Sequence, residues 1–156
     1  MGARSATFTR RAIETSILLL LAAGWNGCAR IRPPPDIEPI VRTMVTTGYC
    51  KCGTCCGWKR TWYGRPVYSS GPLKGRRKWI GVTASGVKAE HGTIAADTTR
   101  YPFGTIMYIP GYGYGVVQDR GKDIRGDHID LYFYTHGEAR FWGRKRIPVK
   151  IWAAPE

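Results

Sequence analysis

Short apolar runs separated by glycine and proline most constrain what this chain can fold into. Outside one leucine-rich stretch near the N-terminus, few windows are long enough for a buried helix, and the 156 residues include 20 glycines and 10 prolines. Runs rich in β-branched and aromatic residues are expected to form strands. They occupy residues 41–49, 80–86, 93–96, 105–109, 114–118, 129–133 and 147–152. Six or seven such strands predict a mainly β fold, a compact closed barrel.

One short helix is expected between the last two of these strands. Thr135 and Glu138 have the spacing of a capping box. In that motif a threonine hydroxyl and a glutamate carboxylate each bind a backbone N–H of the first turn. The sequence therefore predicts a helix over residues 135–142.

The N-terminus has the pattern of an export signal. Three arginines precede an apolar run at residues 17–23, which is well short of the about 20 residues that a membrane-spanning helix needs. Cys28 directly after Gly27 resembles the lipidated cysteine of a bacterial lipoprotein, although Trp25 stands where such signals usually have an aliphatic residue. The alternatives are ordinary cleavage near Gly27 and an uncleaved anchor.

We therefore expect three parts in the chain. These are a signal peptide of lipoprotein type at residues 1–28, a proline-rich linker at 29–40 and a folded domain at 41–156. Consecutive prolines favour an extended conformation and lack donors for a sheet, which suits a linker. The protein is expected to be exported to the cell envelope, in the periplasm or at the outer membrane, with a lipid on Cys28 as its membrane anchor.

The strongly basic balance of the chain indicates a polyanionic partner. The net charge is +13, from 24 basic and 11 acidic residues. Nucleic acid, an anionic membrane surface and an acidic cell-wall polymer all fit such a charge. Because the export signal disfavours the first, no nucleic-acid partner is expected.

Residues 58–79 are both aromatic and cationic. One interpretation is a solvated loop whose aromatic rings fold back on the barrel. The other is a wall of a substrate groove, in which aromatic faces stack on sugar rings and cations attract carboxylates.

Four cysteines lie close together in sequence: Cys50, Cys52, Cys55 and Cys56. An exported protein usually oxidises such a set to disulfides, which is the favoured interpretation. A four-thiolate zinc site would require the segment to wrap tightly round the metal, and free thiols are the third possibility. The histidines have no metal-ligand spacing, so neither a metal nor a cofactor is expected.

Three aspartates at short apolar runs are the main functional signal. Asp97 follows the run 93–96, Asp119 follows 114–118, and Asp130 lies inside 129–133. A carboxylate in a β-rich segment costs desolvation free energy unless the fold requires it. These three are therefore candidates for the chemistry of the protein.

The ordered motifs around these aspartates resemble the 3D domain, a family named for its three aspartates, over residues 47–152. The matching pieces are Tyr49-Cys50-Lys51-Cys52, Thr83-Ala84-Ser85-Gly86-Val87, Ile94-Ala95-Ala96-Asp97, Pro102-Phe103-Gly104-Thr105, Gly111-Tyr112-Gly113-Tyr114-Gly115, Asp119-Arg120-Gly121 and Ile124-Arg125-Gly126-Asp127-His128-Ile129-Asp130-Leu131-Tyr132. This domain also forms the catalytic part of the A-type membrane-bound lytic transglycosylase and of stationary-phase cell-wall proteins.

The resemblance implies a six-stranded double-psi β-barrel that cleaves peptidoglycan glycan strands. Such enzymes break the β-1,4 bond after N-acetylmuramic acid and leave a 1,6-anhydro end. By position, Asp130 is the general acid and base, and Asp97 and Asp119 tune it and hold the sugar. The implied substrate contacts are the polar residues of two further motifs: Thr83, Ser85, Tyr112 and Tyr114.

Each aspartate also has a purely structural interpretation. Asp97 could cap a turn, and Asp130 could be a buried, hydrogen-bonded acid. Asp119 could pair with Arg120 or Arg125 as an ordinary ion pair.

Two positions depart from the family pattern. Arg120 and Lys122 follow the second aspartate, where small residues are common, and their charges would lower a neighbouring carboxyl pKa. Thr98 follows Asp97, where proline is usual.

The leading hypothesis is therefore a peptidoglycan lytic transglycosylase, and the alternative is a non-catalytic peptidoglycan-binding module, because a fold does not fix a function. Binding requires the groove and its aromatic residues. Catalysis also requires a protonated Asp130 within reach of the scissile oxygen.

Overall fold

The structure, a computed structural model, describes residues 31–154, and within this range the chain is mainly β. The expected signal peptide and Cys28 lie outside the described residues. Residues 31–39 form no regular element, and the indole N–H of Trp152 donates to the carbonyl of Ile37 at 2.9 Å. Within the described range, no helix has the length and apolar character needed to cross a bilayer.

Six of the described strands close into a barrel. In chain order they are β1 (Ile40–Tyr49), β4 (Thr93–Ala95), β5 (Ile106–Ile109), β6 (Gly113–Asp119), β7 (His128–Tyr132) and β8 (Lys145–Trp152). The order round the barrel is β1, β7, β4, β6, β5 and β8. A separate two-stranded sheet pairs β2 (Trp58–Arg60) with β3 (Pro66–Tyr68). The predicted mainly β, six-stranded closed barrel is confirmed.

Two parallel pairs distinguish this barrel from an up-and-down barrel, in which consecutive strands pair. They are β1 with β7 and β4 with β6, whereas the remaining pairs are antiparallel. Parallel neighbours cannot be joined by a hairpin and need a crossover connection. The chain therefore crosses between distant strands, as the double-psi topology requires.

Alternate residues of the barrel strands point inward and form the main apolar core. Its fully buried members are Met44, Ile94, Ala96, Met107, Ile109, Val117, Ile129, Leu131 and Val149. Side chains alternate along a strand, and on the opposite faces of β1, β4 and β7 a smaller buried cluster contains Tyr49, Ala95 and Tyr132. The candidate functional site lies on those faces, beside this cluster.

The predicted short helix is α2 (His136–Trp142), and its capping box is formed. The hydroxyl of Thr135 accepts the N–H of Glu138 at 3.2 Å, and the Glu138 carboxylate accepts the N–H of Thr135 at 3.0 Å. The helix packs on β1 at Gly48, where a Cβ would lie 2.8 Å from the carbonyl oxygen of Ala139. Any side chain at position 48 would push the helix off the barrel.

The expectation of a strand at residues 80–86 is wrong. Gly81 and Gly86 adopt φ values of 73° and 89°, which interrupt an extended backbone. The segment is a turn closed by the N–H of Thr83, which donates to the carbonyl of Val87 at 2.9 Å. Conversely, β2, β3 and the four-residue helix α1 (Gly53–Cys56) form where no element was predicted.

Candidate active site

A cavity of about 1150 Å³ lies between the barrel wall and the segment of residues 57–82. The barrel contributes residues of β1, β4, β6 and β7, on the faces that do not point into the core. Asp119 and Asp130 both border this cavity, together with Thr47, Ala95 and His128. Two of the three predicted aspartates are therefore brought together.

The two carboxylates lie in one row across three neighbouring strands. Ala95 of β4 pairs with Asp130 of β7 on one side and with Asp119 of β6 on the other. Thr47 of β1 extends the row, because it pairs with Asp130. Residues paired across neighbouring strands project from the same face of a sheet. Ala95 lies between the two acids in this row and is itself buried.

Burial, and to a smaller extent the negative charge of Asp119, raise the pKa of Asp130 to about 6. The hydroxyl of Thr47 donates to Oδ1 of Asp130 at 2.9 Å and opposes this shift. The apolar neighbours in sequence, Ile129 and Leu131, point into the core on the opposite face. The site therefore contains a carboxyl group that can be protonated near neutral pH.

His128 extends this hydrogen-bonded chain. Its Nε2 lies 3.0 Å from Oγ1 of Thr47. Because the Thr47 hydroxyl gives its one proton to Asp130, it can accept a hydrogen bond from Nε2 of His128. Burial and the charge of Arg144 lower the pKa of His128, and a hydrogen bond to the backbone of Asp123 opposes them.

Asp119 reaches the cavity because of a β-bulge in β6. Ile94 pairs with Val117 and the next residue, Ala95, pairs with Asp119, so Gln118 is the extra residue. Strict alternation from the core residue Val117 would direct Asp119 inward, but a bulge re-aims the side chain that follows it.

Three donors hold the Asp119 carboxylate. The hydroxyl of Tyr49 donates to Oδ2 at 3.0 Å, and the N–H groups of Ala84 and Arg120 donate to Oδ1 at 3.0 and 2.9 Å. Within residues 31–154, Asp119 forms no salt bridge, so the suggested ion pair with Arg120 or Arg125 is wrong. Arg120 contributes its backbone instead.

The turn at residues 80–86 contains two of the predicted substrate contacts, Thr83 and Ser85. This turn is hydrogen-bonded to the bulge in β6. The N–H of Ser85 donates to the carbonyl of Gln118 at 3.0 Å, and the two hydroxyls lie 3.1 Å apart. Ala84 between them supplies the N–H to Asp119. Neither hydroxyl-bearing residue borders the cavity, and their contact with substrate stays a prediction.

Asp97 is buried outside the cavity lining. Its Oδ2 accepts the N–H of Gly126 at 2.9 Å, and its Oδ1 accepts from both the N–H and the hydroxyl of Thr99, at 3.2 and 2.7 Å. These bonds, that of Gly126 foremost, hold its pKa below the usual range. Asp97 thus ties the end of β4 to the connection that leads into β7.

Tyr112 and Tyr114, the other predicted substrate contacts, also lie away from the cavity. Tyr112 is buried in the core, where its hydroxyl donates to the carbonyl of Tyr132 at 2.8 Å and accepts the N–H of Gly92 at 2.9 Å. Tyr114 is half-exposed, and its ring lies beside that of Trp152.

Aromatic and cationic side chains also border the cavity. Segment 57–82 contributes Trp58, Tyr68, Lys78 and Trp79, Lys51 precedes this segment, and Arg120 and Lys122 follow Asp119 in the chain. The ammonium of Lys78 lies 4.4 Å from the centre of the Tyr68 ring, a cation–π contact. Of the two interpretations of residues 58–79, the structure favours the groove wall.

The four neighbouring cysteines are free thiols in the structure, so the predicted disulfides are not formed. Cys56 borders the cavity, and its Sγ donates to the carbonyl of Cys50 at 3.1 Å. The other three thiols, Cys50, Cys52 and Cys55, have their sulfur atoms within 4.8 Å of one another and of a ring nitrogen of His136. His136, 80 or more positions away in sequence, was not predicted to be near them.

Comparison with known families supports the resemblance drawn from the motifs. Residues 92–154 match the 3D domain, and this segment contains Asp97, Asp119 and Asp130. The cysteine segment and the groove wall at 57–82 precede the matched residues.

Two relatives from Bacillus subtilis (strain 168) align with 75 residues of this chain. YabE, named for cell wall shaping, is 36% identical, and the alignment covers 46% of this chain and 18% of YabE. YocH, named as a cell wall-binding protein, is 35% identical, with 46% and 26% covered. The match thus spans about a quarter or less of these longer relatives.

Solved structures of MltA from E. coli, a lytic transglycosylase, align with about half of this chain. One crystal structure has a TM-score of 0.40 at 21% identity, over 51% of this chain and 29% of that chain. The structure with bound chitohexaose has a TM-score of 0.38 at 22% identity, over 47% and 28%.

Proposed function

We propose that this protein is a peptidoglycan lytic transglycosylase in which Asp130 is the general acid and base. The observation that carries this proposal is a half-buried carboxyl group on the wall of a large cavity, with a pKa raised to about 6. The 3D domain match and the cell-wall names of two relatives support peptidoglycan as the substrate.

In the proposed reaction a single carboxyl group serves twice. Protonated Asp130 gives its proton to the glycosidic oxygen as the bond between C1 of N-acetylmuramic acid and O4 of N-acetylglucosamine breaks. The resulting carboxylate then takes the proton of the muramyl 6-hydroxyl as O6 bonds to C1, which gives the 1,6-anhydro end. Most glycosidases need a second carboxylate as nucleophile or base, but here the substrate's own hydroxyl is the nucleophile.

Asp119 has an electrostatic role in this scheme. Its charge adds to the effect of burial in raising the pKa of Asp130, and the same charge would stabilise the positive charge that develops at C1 in an oxocarbenium-like transition state. Three fixed donors hold Asp119 in place before substrate arrives.

Thr47 and His128 position the acid, and Asp97 positions the loop that leads to it. Thr47 fixes one oxygen of Asp130 and is itself fixed by His128. Asp97 holds Gly126, two residues before His128. We therefore assign Asp97 a positioning role, in contrast to the direct role that the resemblance implies.

The wall at residues 57–82 would bind the glycan. Aromatic faces such as that of Trp79 stack on sugar rings, and Lys78 and Arg120 attract the carboxylates of muramyl groups and stem peptides. The excess of basic residues in the chain, which gives a net charge of +13, suits the same anionic polymer.

Export and lipidation complete the proposal. Peptidoglycan lies outside the cytoplasm, which agrees with the export signal predicted at residues 1–28. A lipid on Cys28 would hold the domain at a membrane beside its substrate, with the linker 29–40 as spacer. Labelling with a radioactive fatty acid, with Cys28→Ser as control, tests the anchor.

A second candidate function is a non-catalytic peptidoglycan-binding module. The name of YocH, a cell wall-binding protein, favours it. Such a module would use the same aromatic and cationic wall but would not require proton transfer by Asp130.

The decisive experiment is to incubate the purified protein with isolated sacculi and to analyse the soluble products by mass spectrometry. We expect anhydromuramyl products from the wild type and none from Asp130→Asn. Asp123→Asn, which removes an exposed acid at the same cavity, is the matched control and should remain active. If no variant releases product but all pellet with the sacculi, the binding module is correct.

A further inference from the structure

We infer that Cys50, Cys52, Cys55 and His136 form a structural zinc site. Three thiols and one imidazole form a ligand set of the Cys₃His type, which binds Zn²⁺ in a closed tetrahedron. The ligand atoms of all four residues lie within 4.8 Å of one another. This site is separate from the two carboxylates and goes beyond the proposed function.

The spacing of the ligand atoms suits a metal at their centre. Zn–S bonds of about 2.3 Å and Zn–N bonds of about 2.0 Å in a tetrahedron place neighbouring ligand atoms about 3.5–3.8 Å apart. The sulfur atoms of Cys50 and Cys55 are 3.8 Å apart, and Nδ1 of His136 lies 3.7 Å from the sulfur of Cys52 and 3.3 Å from that of Cys55. Small shifts would complete the tetrahedron.

Three well-ordered features bring the ligands together from distant parts of the chain. Cys50 directly follows β1, and Cys52 and Cys55 are the N-cap and a member of α1. His136 is the first residue of α2, whose start is fixed by its capping box and whose body packs on β1 at Gly48. The imidazole is therefore carried to the thiols by the fold.

The donor types select the metal. Thiolates and imidazole bind Zn²⁺ and other soft or borderline ions, whereas Ca²⁺ and Mg²⁺ take oxygen ligands, and no carboxylate belongs to this set. A disulfide would use two of the thiols and leave both the third thiol and His136 unexplained. The thiol of Cys56 donates to the carbonyl of Cys50 and does not belong to the ligand set.

Zinc at this position would rigidify one wall of the cavity. Lys51 and Cys55 border the cavity and belong to the ligand segment, and the indole N–H of Trp58 donates to the carbonyl of Lys51 at 2.9 Å. A metal that joins this segment to α2 would hold the wall against the barrel without entering the chemistry.

The test measures metal directly and does not depend on enzymatic activity. The full chain, without a histidine tag, is prepared with Zn²⁺ present and dialysed, and its metal content is measured by mass spectrometry. We expect about one zinc per chain. Replacement by Co²⁺ should give the intense visible bands of a tetrahedral site and an ultraviolet thiolate-to-cobalt band. Chelation should then expose the three ligand thiols to a thiol reagent.

Substitutions distinguish the proposed zinc ligands from a neighbouring thiol that is not a ligand. Cys52→Ser and His136→Ala should each weaken zinc binding by more than about 100-fold, because even the loss of a residue that only supports a ligand weakens it about 10- to 100-fold. Cys56→Ser is the matched thiol control and should bind as the wild type does. His136→Cys should retain the metal with a cobalt spectrum of higher thiolate content, which excludes misfolding as the cause of loss.

Two results would overturn the site. One is a folded chain that holds no zinc and has Cys50 in a disulfide. The other is equal loss of zinc in Cys56→Ser and Cys52→Ser, which would mean that the metal is bound by thiols other than those of the proposed set. Either result leaves the test of Asp130 on sacculi unaffected.

Discussion

The hydroxyl of Tyr49 donates a hydrogen bond of 3.0 Å to the carboxylate of Asp119. Tyr49 ends β1, and two residues earlier Thr47 donates to Asp130. Residues two apart on a strand project from the same face. One strand therefore supports both acids of the site, although the acids lie on two other strands.

The first prediction concerns that tyrosine. Tyr49→Phe retains the ring, which packs edge-on against Tyr132 at 5.5 Å, and removes only the donor to Asp119. A hydrogen bond to a charged group contributes about 1.5–3 kcal/mol, so we expect release of anhydromuramyl product to fall by about tenfold or more. An unchanged rate would show that Asp119 needs only its two backbone donors.

The second prediction separates stability from activity at Asp130. Asp130→Asn should abolish product release and, at pH 7, raise the free energy of unfolding by up to about 3 kcal/mol, because a neutral amide replaces a desolvated carboxylate whose pKa is raised from 3.8 to about 6. Product assays and thermal unfolding at pH 7 measure the two effects. A variant that is both inactive and less stable would mean that the carboxylate is a structural acid.

The third prediction is a dependence on pH. Product release should decrease as pH rises through about 6, because the proton donor is lost. The contribution of Asp130 to stability should decrease between pH 3.8 and about 6, since the folded state binds the proton more tightly. Rates of product release and melting temperatures should be measured from pH 3 to 8 for the wild type and for Asp130→Asn. The difference between the two proteins gives the contribution of the Asp130 carboxyl group.

A substitution of Asp119 is a control for the pH dependence of product release. Because its charge raises the pKa of Asp130, Asp119→Asn should move the descending limb of the pH–rate curve to lower pH. A limb that stays in place would mean that the titration belongs to another group.

The fourth prediction tests the aromatic wall. Trp79 is 65% exposed and borders the cavity, whereas Trp62 is 96% exposed and does not. Stacking of an aromatic ring contributes on the order of 1 kcal/mol or more, so Trp79→Ala should weaken pelleting with sacculi severalfold. Trp62→Ala should bind as the wild type does, and equal weakening in both would point to a non-specific surface effect.

The fifth prediction concerns Asp97 as a positioning residue. Asp97→Ala should lower the melting temperature and increase amide hydrogen exchange at Gly126, its backbone partner. Thr99→Val, which removes one of the three donors to Asp97, should have a smaller effect. Loss of activity with unchanged exchange would favour a direct role for Asp97 in the reaction.

Much of the barrel follows from local sequence patterns. The runs at 105–109, 114–118 and 129–133 match β5, β6 and β7 closely, since alternating apolar residues face one core. The capping box of Thr135 was also predictable, because it depends on residues three apart. A carboxylate inside a strand also made Asp130 a candidate site residue.

Other features depend on contacts that no local pattern records. The bulge at Gln118 changes which face Asp119 occupies, and it is specified by pairing with β4. Tyr112 belongs to one of the motifs that resemble the 3D domain. Its hydroxyl, however, donates a hydrogen bond to a backbone carbonyl of β7 inside the core. His136 meets the cysteines only because α2 packs on β1, so spacing along the chain gave no indication of a shared site.

The order of the strands round the barrel also determines when the candidate active site forms during folding. Strand β1 pairs with β7 and β8, which lie far away in sequence. Ile40 pairs with Ile151, and Thr47 pairs with Asp130. Contacts so distant in sequence close late and slowly during folding. A growing chain that has emerged only as far as β6 already contains Asp97 and Asp119, but it has neither Asp130 nor a partner for β1. Both β7 and β8 must therefore be synthesised before Asp130 meets its partners on β1, and the proposed activity first appears with the closed barrel.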